Sequence, residues 1–465
     1  MKKTIVLFDL LLVLFASTAF AADSLYNIPP LVYQMTDISA RVAGSTLAKS
    51  GTGATMTLVT DVNSPLDGGP CFKFHVAAGV NSYATVAPVT PIAAGTVVGV
   101  ILKMDTINGQ GGGGLFLKFY DSGLGNGYGY NFLQYKANYG MVANKWKICW
   151  MSREQFVIVT GSPAAWATTE INRPFTWVKL FFQNSNPAAD CNYYIGGVVT
   201  YTPAKAKVIL AMDDGYTSAY TEAYSKLRAH GWRGCVGVCS SLVGTSTHAT
   251  LEQLQEMHAY GWDMCNHTSD HTQGTTDVSP ATYISKIVAC RQYQANNGLT
   301  RGSQFLILPG NILQLTNTDG LDYVESYFLM GRGRSARTEY GNEIITYTFT
   351  NDTYSPIIPS DMMNCSYYSL SATSQTDYTA ATQAFIEKVT FHRGVAILYT
   401  HRIKTDPAAT DITPTYFDAL LADLAAKEAA GQLEVITFTD WWNQIHITDT
   451  VESKVKNWLS SGFQN

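Results

Sequence analysis

From Lys205 onward the chain repeats one unit: a short run of uninterrupted apolar residues, then a stretch with helical spacing. The apolar runs cover 208–212, 234–239, 262–265, 305–308, 327–330, 395–399 and 433–437. Helical stretches fall at 218–230, 250–260, 280–297, 380–392 and 414–430, with a short one ending at Val324. A strand that is apolar at every position must be buried on both faces, and a parallel sheet with helices packed outside it does this. The expectation is an α/β fold over 204–446, a distorted (β/α) barrel of about seven strands. The polar stretch 332–379, with Pro356 and Pro359, reads as a long functional loop or a short hairpin.

The preceding residues have another rhythm. Across 22–203, short apolar runs are broken by Gly, Asn, Asp and Pro, and many alternate, as in Leu115-Phe116-Leu117-Lys118-Phe119-Tyr120. That pattern predicts an all-β sandwich or jelly roll ahead of the barrel. It could be a carbohydrate-binding module in which Tyr128, Tyr130, Tyr135 and Tyr139 stack on sugar rings; the plainer reading puts these rings in the sandwich core or in turns. The glycine stretches 111–114 and 123–129 are turns rather than a phosphate loop, because no Lys-Ser/Thr helix start follows.

Lys2 and Lys3, the apolar run 5–15 broken only by Asp9, and Ala19-Phe20-Ala21 have the form of a signal peptide over 1–21. Export to a periplasm or to the outside is expected. The run is too short to span a bilayer and no later one reaches about 20 residues, so no membrane span is expected. With 14% charged residues and a net charge of -5, the chain has no basic surplus for nucleic acid. Its eight cysteines allow 105 full pairings, and their split of three and five between the halves leaves a free thiol in each, or one bridge between them. Cys235 and Cys239 read as small buried hydrophobes rather than a metal pair. Residues 447–465 form a short tail.

Functional groups of a parallel barrel gather at the C-terminal ends of its strands. The first run ends in Met212-Asp213-Asp214-Gly215, the third in Asn266-His267-Thr268-Ser269-Asp270-His271, and the sixth in Leu398-Tyr399-Thr400-His401. Two adjacent carboxylates after a buried strand are costly unless they bind something. His267 and His271, at i and i+4, would lie on one face of a helical turn and reach one ion. Each piece alone has a bland reading, as a turn or as solvated surface; their joint order on a βα frame favours a site.

These residues resemble the polysaccharide deacetylase family (NodB-homology domain, carbohydrate esterase family 4). Asp213-Asp214-Gly215 matches the end of the family's first motif. His267 to His271 matches the second, His-Ser/Thr-x-x-His, in full, and Leu398 to His401 is similar to the Leu-x-His motif with one extra residue. The resemblance implies one divalent metal, zinc being expected, held by Asp214, His267 and His271, with Asp213 as general base and His401 as general acid. It implies an oxyanion contact near Gly310 and, as substrate, an acetylated polysaccharide or oligosaccharide attacked by metal-activated water. Two features depart from the family pattern. Ile307 stands where the third motif has an arginine that holds the base, so Arg332 or Arg334 is expected to supply the guanidinium, with Arg337 a further candidate. The fourth motif, which orients the late histidine, has no clear counterpart. The alternative reading is a glycan-binding protein with an inactive barrel.

Overall fold

The computed structural model describes 203–313, 324, 327–335, 338–339, 343–344, 365, 367–370 and 377–445. In the first half it describes 47–50, 54–63, 70–79, 81–86, 97–105, 115–120, 127–131, 144, 146–152, 157–160, 177–183 and 190–201. The signal sequence and the tail lie outside these residues, as do Arg337, Tyr135 and Tyr139. The side chains of Tyr128, Tyr130, Cys149 and Arg334 lie outside them too.

The first half contains two antiparallel sheets. One runs in the order Leu47–Ser50, Asn81–Val86, Trp177–Gln183, Leu115–Tyr120, Gly127–Asn131, Val157–Thr160. The other runs Ala54–Asn63, Pro70–Val76, Cys191–Tyr201, Val97–Met104, Trp146–Ser152. The alternating pattern has its usual meaning on the last strand of the chain order: Tyr193 and Ile195 are buried while Tyr194 is half-exposed, with the Lys103 ammonium 4.5 Å from its ring.

The second half is a parallel sheet of eight strands: β1 (Ala206–Met212), β2 (Cys235–Val238), β3 (Asp263–Asn266), β4 (Phe305–Leu313), β5 (Met330–Ser335), β6 (Tyr368–Ser369), β7 (Val395–Thr400) and β8 (Leu433–Val435). They are ordered β5-β4-β3-β2-β1-β7-β6. β8 pairs with β1 at Ala206–Val208, on the edge that β2 takes at Ala211 and Met212. A bridge between Arg332 of β5 and Cys365, three residues before β6, brings the two ends of the sheet together. The barrel therefore has one strand more than the apolar runs indicate, because two-residue β6 is too short to leave a pattern. The fifth strand also begins at Met330 rather than ending there, since Met-Gly-Arg-Gly-Arg-Ser does not read as apolar.

Helices α1 (Ser225–Ala229), α2 (Leu251–Ala259), α3 (Pro280–Asn296), α4 (Ala380–His392) and α5 (Pro414–Ala429) follow their strands. Thr250, Ser279, Thr379 and Thr413 each accept the N–H three residues on, which fixes the starts of α2 to α5. A wide π turn over Ala219–Tyr224 precedes α1. The sequence pattern missed α6 (Phe438–Ile445), whose Phe438, Trp441 and Ile445 pack inside the barrel with Phe305 and Ile397.

Side chains alternate along each strand, and this decides where the chemistry sits. On β1, Val208, Leu210 and Met212 pack with the helices, while Ile209 and Ala211 face the interior. Continuing that parity points Asp213 inward. Cys265 faces inward and leads to His267; Met330 leads to Arg332; Ile397 and Tyr399 lead to His401. Gly237 stands between inward Cys235 and Cys239, and a Cβ on it would come within 3.3 Å of the His267 ring. Among the described residues Cys235, Cys239, Cys265 and Cys290 are buried free thiols. No described helix is long and apolar enough to cross a membrane.

Asp263, at the start of β3, holds α6 in place. Its carboxylate accepts from Thr439 N–H at 2.7 Å and Thr439 Oγ1 at 2.8 Å, and pairs with Arg301 Nε at 3.0 Å. Burial pushes this carboxyl up to about 6, against those partners. Between its ordinary value of 3.8 and about 6 the folded protein keeps a proton that the unfolded chain has lost, so this group's contribution to stability falls as pH rises through the window. Replacing Asp263 with Asn should flatten that part of the pH dependence, read as melting temperature between pH 4 and 6.5.

Candidate active site

Asp213 and Asp214 leave β1 in different directions. Asp213 continues the inward parity and is 3% exposed. Asp214 adopts φ 65° and Gly215 φ 75°, a left-handed pair that turns the chain back and sets the Asp214 carboxylate across the mouth. His267 Nε2 lies 3.1 Å and His271 Nε2 3.3 Å from the same oxygen, Asp214 Oδ1. His401 Nε2 is 3.9 Å from Oδ2. Burial pushes the Asp214 carboxyl up, but the His267 hydrogen bond and the nearby His267, His401 and His271 charges outweigh it and hold it well below the usual range.

The His267–His271 segment is a turn, not the helical turn that the i, i+4 spacing predicts. Thr268 (φ 61°) and His271 (φ 63°) both take left-handed backbone. The rings still meet, edge to face at 5.0 Å. Asn266 caps the turn by accepting the Thr268 N–H at 2.9 Å, and its amide donates to the Ile287 carbonyl of α3. The Ile307 carbonyl lies 2.6 Å from His267 Nδ1. A carbonyl can only accept, so Nδ1 carries the proton and Nε2 presents a lone pair toward Asp214. Two imidazole nitrogens, each within 3.3 Å of one carboxylate oxygen, are donors of the kind a divalent cation takes.

Arg332, inward on β5 and fully buried, is registered directly across from Ile307 of β4. Its Nη1 and Nη2 donate to Asp213 Oδ1 and Oδ2 at 2.9 and 2.6 Å, a two-pronged pair. Nη2 also reaches Asn311 Oδ1 at 3.2 Å, and the guanidinium lies 4.3 Å from the Tyr399 ring centroid. Burial opposes the Arg332 charge, but Asp213 more than offsets it and raises its pKa. The guanidinium that pairs with Asp213 thus comes from within β5, at the position in register with Ile307. Gly310 is exposed with φ 61°, and the Gln273 carboxamide lies 2.8 Å from where a Cβ on it would stand.

Sequence reading missed two neighbours. Cys239 ends the inward series of β2, and its sulfur lies with donor atoms of Asp214 and His267 in a group spanning at most 4.8 Å. Burial, with the charge of Asp214, drives its thiol far above the ordinary value, and its S–H points to the His267 carbonyl at 3.5 Å. Tyr216 stacks on His248 at 4.7 Å. Cys235 and Cys239 two turns of the pleat apart carried a signal of shared facing, but nothing in it pointed to Asp214.

Comparison with known proteins bears on this geometry. Residues 200–307 match the family model described as polysaccharide deacetylase. This part of the chain resembles the polysaccharide deacetylase family. A putative polysaccharide deacetylase of Bacillus subtilis (strain 168), YxkH, is 34% identical over 71 residues, 15% of this chain. The chain spans 25% of that relative's length. Among solved structures, a family 4 acetyl xylan esterase from Clostridium thermocellum, in complex with a cobalt ion, is 18% identical over 51% of this chain and 91% of its own, with a TM-score of 0.34. A Streptococcus pyogenes deacetylase, PplD, in complex with acetate, is 22% identical over 29% of this chain and 58% of its own, with a TM-score of 0.26.

The buried pair gives a direct test. Arg332→Met leaves the Asp213 carboxyl buried without its partner, and should cost about 3–5 kcal/mol in urea unfolding. Adding Asp213→Asn to Arg332→Met should recover part of that loss, because the two groups share one interaction.

Proposed function

We propose that this protein is an exported, metal-dependent deacetylase of an acetylated glycan. The observation that carries the reading is the pairing of two unlike carboxylates: Asp214 faces three imidazoles, and Asp213 beside it is held by Arg332. Asp214, His267 and His271 would hold one divalent cation, zinc by the chemistry of two imidazoles and a carboxylate. When bound, the cation supplies Lewis acidity, lowering the pKa of water and polarising the acetyl carbonyl. Asp213, oriented by both prongs of Arg332, takes a proton from the attacking water. The new C–O bond forms as the carbonyl becomes tetrahedral, and the Gly310 N–H donates to the developing oxyanion. His401 then gives a proton from Nε2 to the departing amine or alkoxide as its bond to carbon breaks. Acetyl-sugar and water become acetate and the free sugar group.

Export rests on the form of residues 1–21, and the first-half sheets are proposed to bind or space the glycan. Acetate release from chitin oligomers, poly-N-acetylglucosamine, peptidoglycan and acetylxylan identifies the substrate. Metal content measured beside acetate release tests the roles. Asp213→Asn should abolish release and keep metal. His267→Ala and Asp214→Ala should lose both, since each removes a ligand. His401→Ala should keep metal and slow turnover by about 10²–10⁴-fold. Metal lost from Asp213→Asn but kept by Asp214→Ala would exchange the two carboxylate roles. A metal-loaded protein that releases no acetate from any of the four glycans would favour the inactive, glycan-binding reading.

A further inference from the structure

The loop after His401 is built around a carboxylate that the deacetylase reading leaves without a role. Asp411 is fully buried. Its Oδ1 accepts from Arg402 Nε at 3.1 Å, and its Oδ2 accepts the Ala408 N–H at 3.0 Å. Arg402 Nη2 and Lys404 Nζ lie 3.1 and 3.6 Å from Oδ2. The backbone around it is a short ladder: His401 N–H donates to the Thr410 carbonyl at 3.2 Å, Ile412 N–H to Arg402 at 3.0 Å, and Lys404 N–H to Ile412 at 3.0 Å. Thr410 itself is exposed, so packing of its own side chain does not aim its carbonyl. Its neighbour Asp411 does.

That carbonyl has two further partners: Thr400 Oγ1 donates to it at 3.5 Å, and His401 Nδ1 lies 3.2 Å from it. As an acceptor it holds the proton on Nδ1, so Nε2, the nitrogen facing Asp214, is the one left to gain and lose a proton. The loop is also tied to the first strand's turn. The Arg402 guanidinium lies 5.1 Å from the Tyr216 ring centroid, and Ile403 N–H donates to Ser218 Oγ at 3.1 Å.

We propose that Asp411 and Arg402 are positioning residues for His401, acting through the Thr410 carbonyl in place of a carboxylate bonded to the imidazole. This rests on reading His401 as the proton donor. Without the buried pair the carbonyl is held only by the His401 N–H and the Thr400 hydroxyl, and the ring can rotate or change tautomer, so that the proton sits on the wrong nitrogen. No bond of this ladder reaches the side chain of Asp213, Asp214, His267 or His271, so the defect should fall on proton donation.

The test uses the full chain with nitrogen-15 histidine, the His401 signals being identified by their loss in His401→Ala. Wild type should show the Nδ1–H tautomer; Asp411→Asn should lose that preference. With the best acetylated glycan of the panel above, whose leaving group needs a proton, kcat should fall by about 10- to 100-fold with KM nearly unchanged. With 4-nitrophenyl acetate, whose phenolate leaves without a proton, the rate should stay close to wild type. Arg402→Gln, at a half-exposed position less demanding of the fold, should shift both readouts in the same direction. A wild-type Nε2–H tautomer, or equal losses on both substrates with the tautomer unchanged, overturns the proposal. If His401→Ala itself slows both substrates equally, the donor role of His401 fails, while the tautomer of Asp411→Asn still decides whether the clamp orients the ring.

Discussion

The site depends on an ion pair buried inside the barrel, Arg332 with Asp213. Neither group could stay charged in an apolar interior alone, and together they make the interior of the upper barrel polar. Asp213 can then sit one residue from Asp214 without the two carboxylates competing for the same partners. Arg332 takes one, and three imidazoles gather round the other. The Tyr399 ring lies over the guanidinium, and Asn311 bonds it at its flank.

Two of the three histidines are fixed from behind by a backbone carbonyl, Ile307 for His267 and Thr410 for His401. Carbonyls are set by the strand and loop paths, so these two rings are oriented without a charged side chain bonded to Nδ1. At Gly237 the fold also yields space, since the His267 ring packs where any larger residue on β2 would press on it.

Much of this was legible in the sequence. Continuous apolar runs announced the parallel strands, and the helical stretches 280–297 and 414–430 coincide closely with α3 and α5. Asp213, Asp214, His267, His271 and His401 stood out because strand ends concentrate chemistry and because their spacing resembles a known family. What escaped notice was short or set by tertiary contacts. β6 has two residues; α6 is held by Asp263 from a distant strand; β5 carries two arginines and two glycines and looks like a loop. The left-handed turn at Thr268 and His271 also escaped, since spacing alone gives a helix where the Asn266 cap imposes something tighter. Cys239 was set aside as a core thiol because nothing near it in sequence shows that Asp214 lies beside it.

The register of Ile307 against Arg332 has a consequence for how such domains are sorted by sequence. Two inward positions on adjacent parallel strands deliver a long side chain to nearly the same point. A guanidinium can therefore move from one strand to its neighbour while the carboxylate it serves stays put. A search keyed to the arginine on one strand would count this chain among degenerate copies, although the charge is present one hydrogen-bonded neighbour away. Catalogues of inactive relatives built on linear motifs should be recounted by cross-strand position.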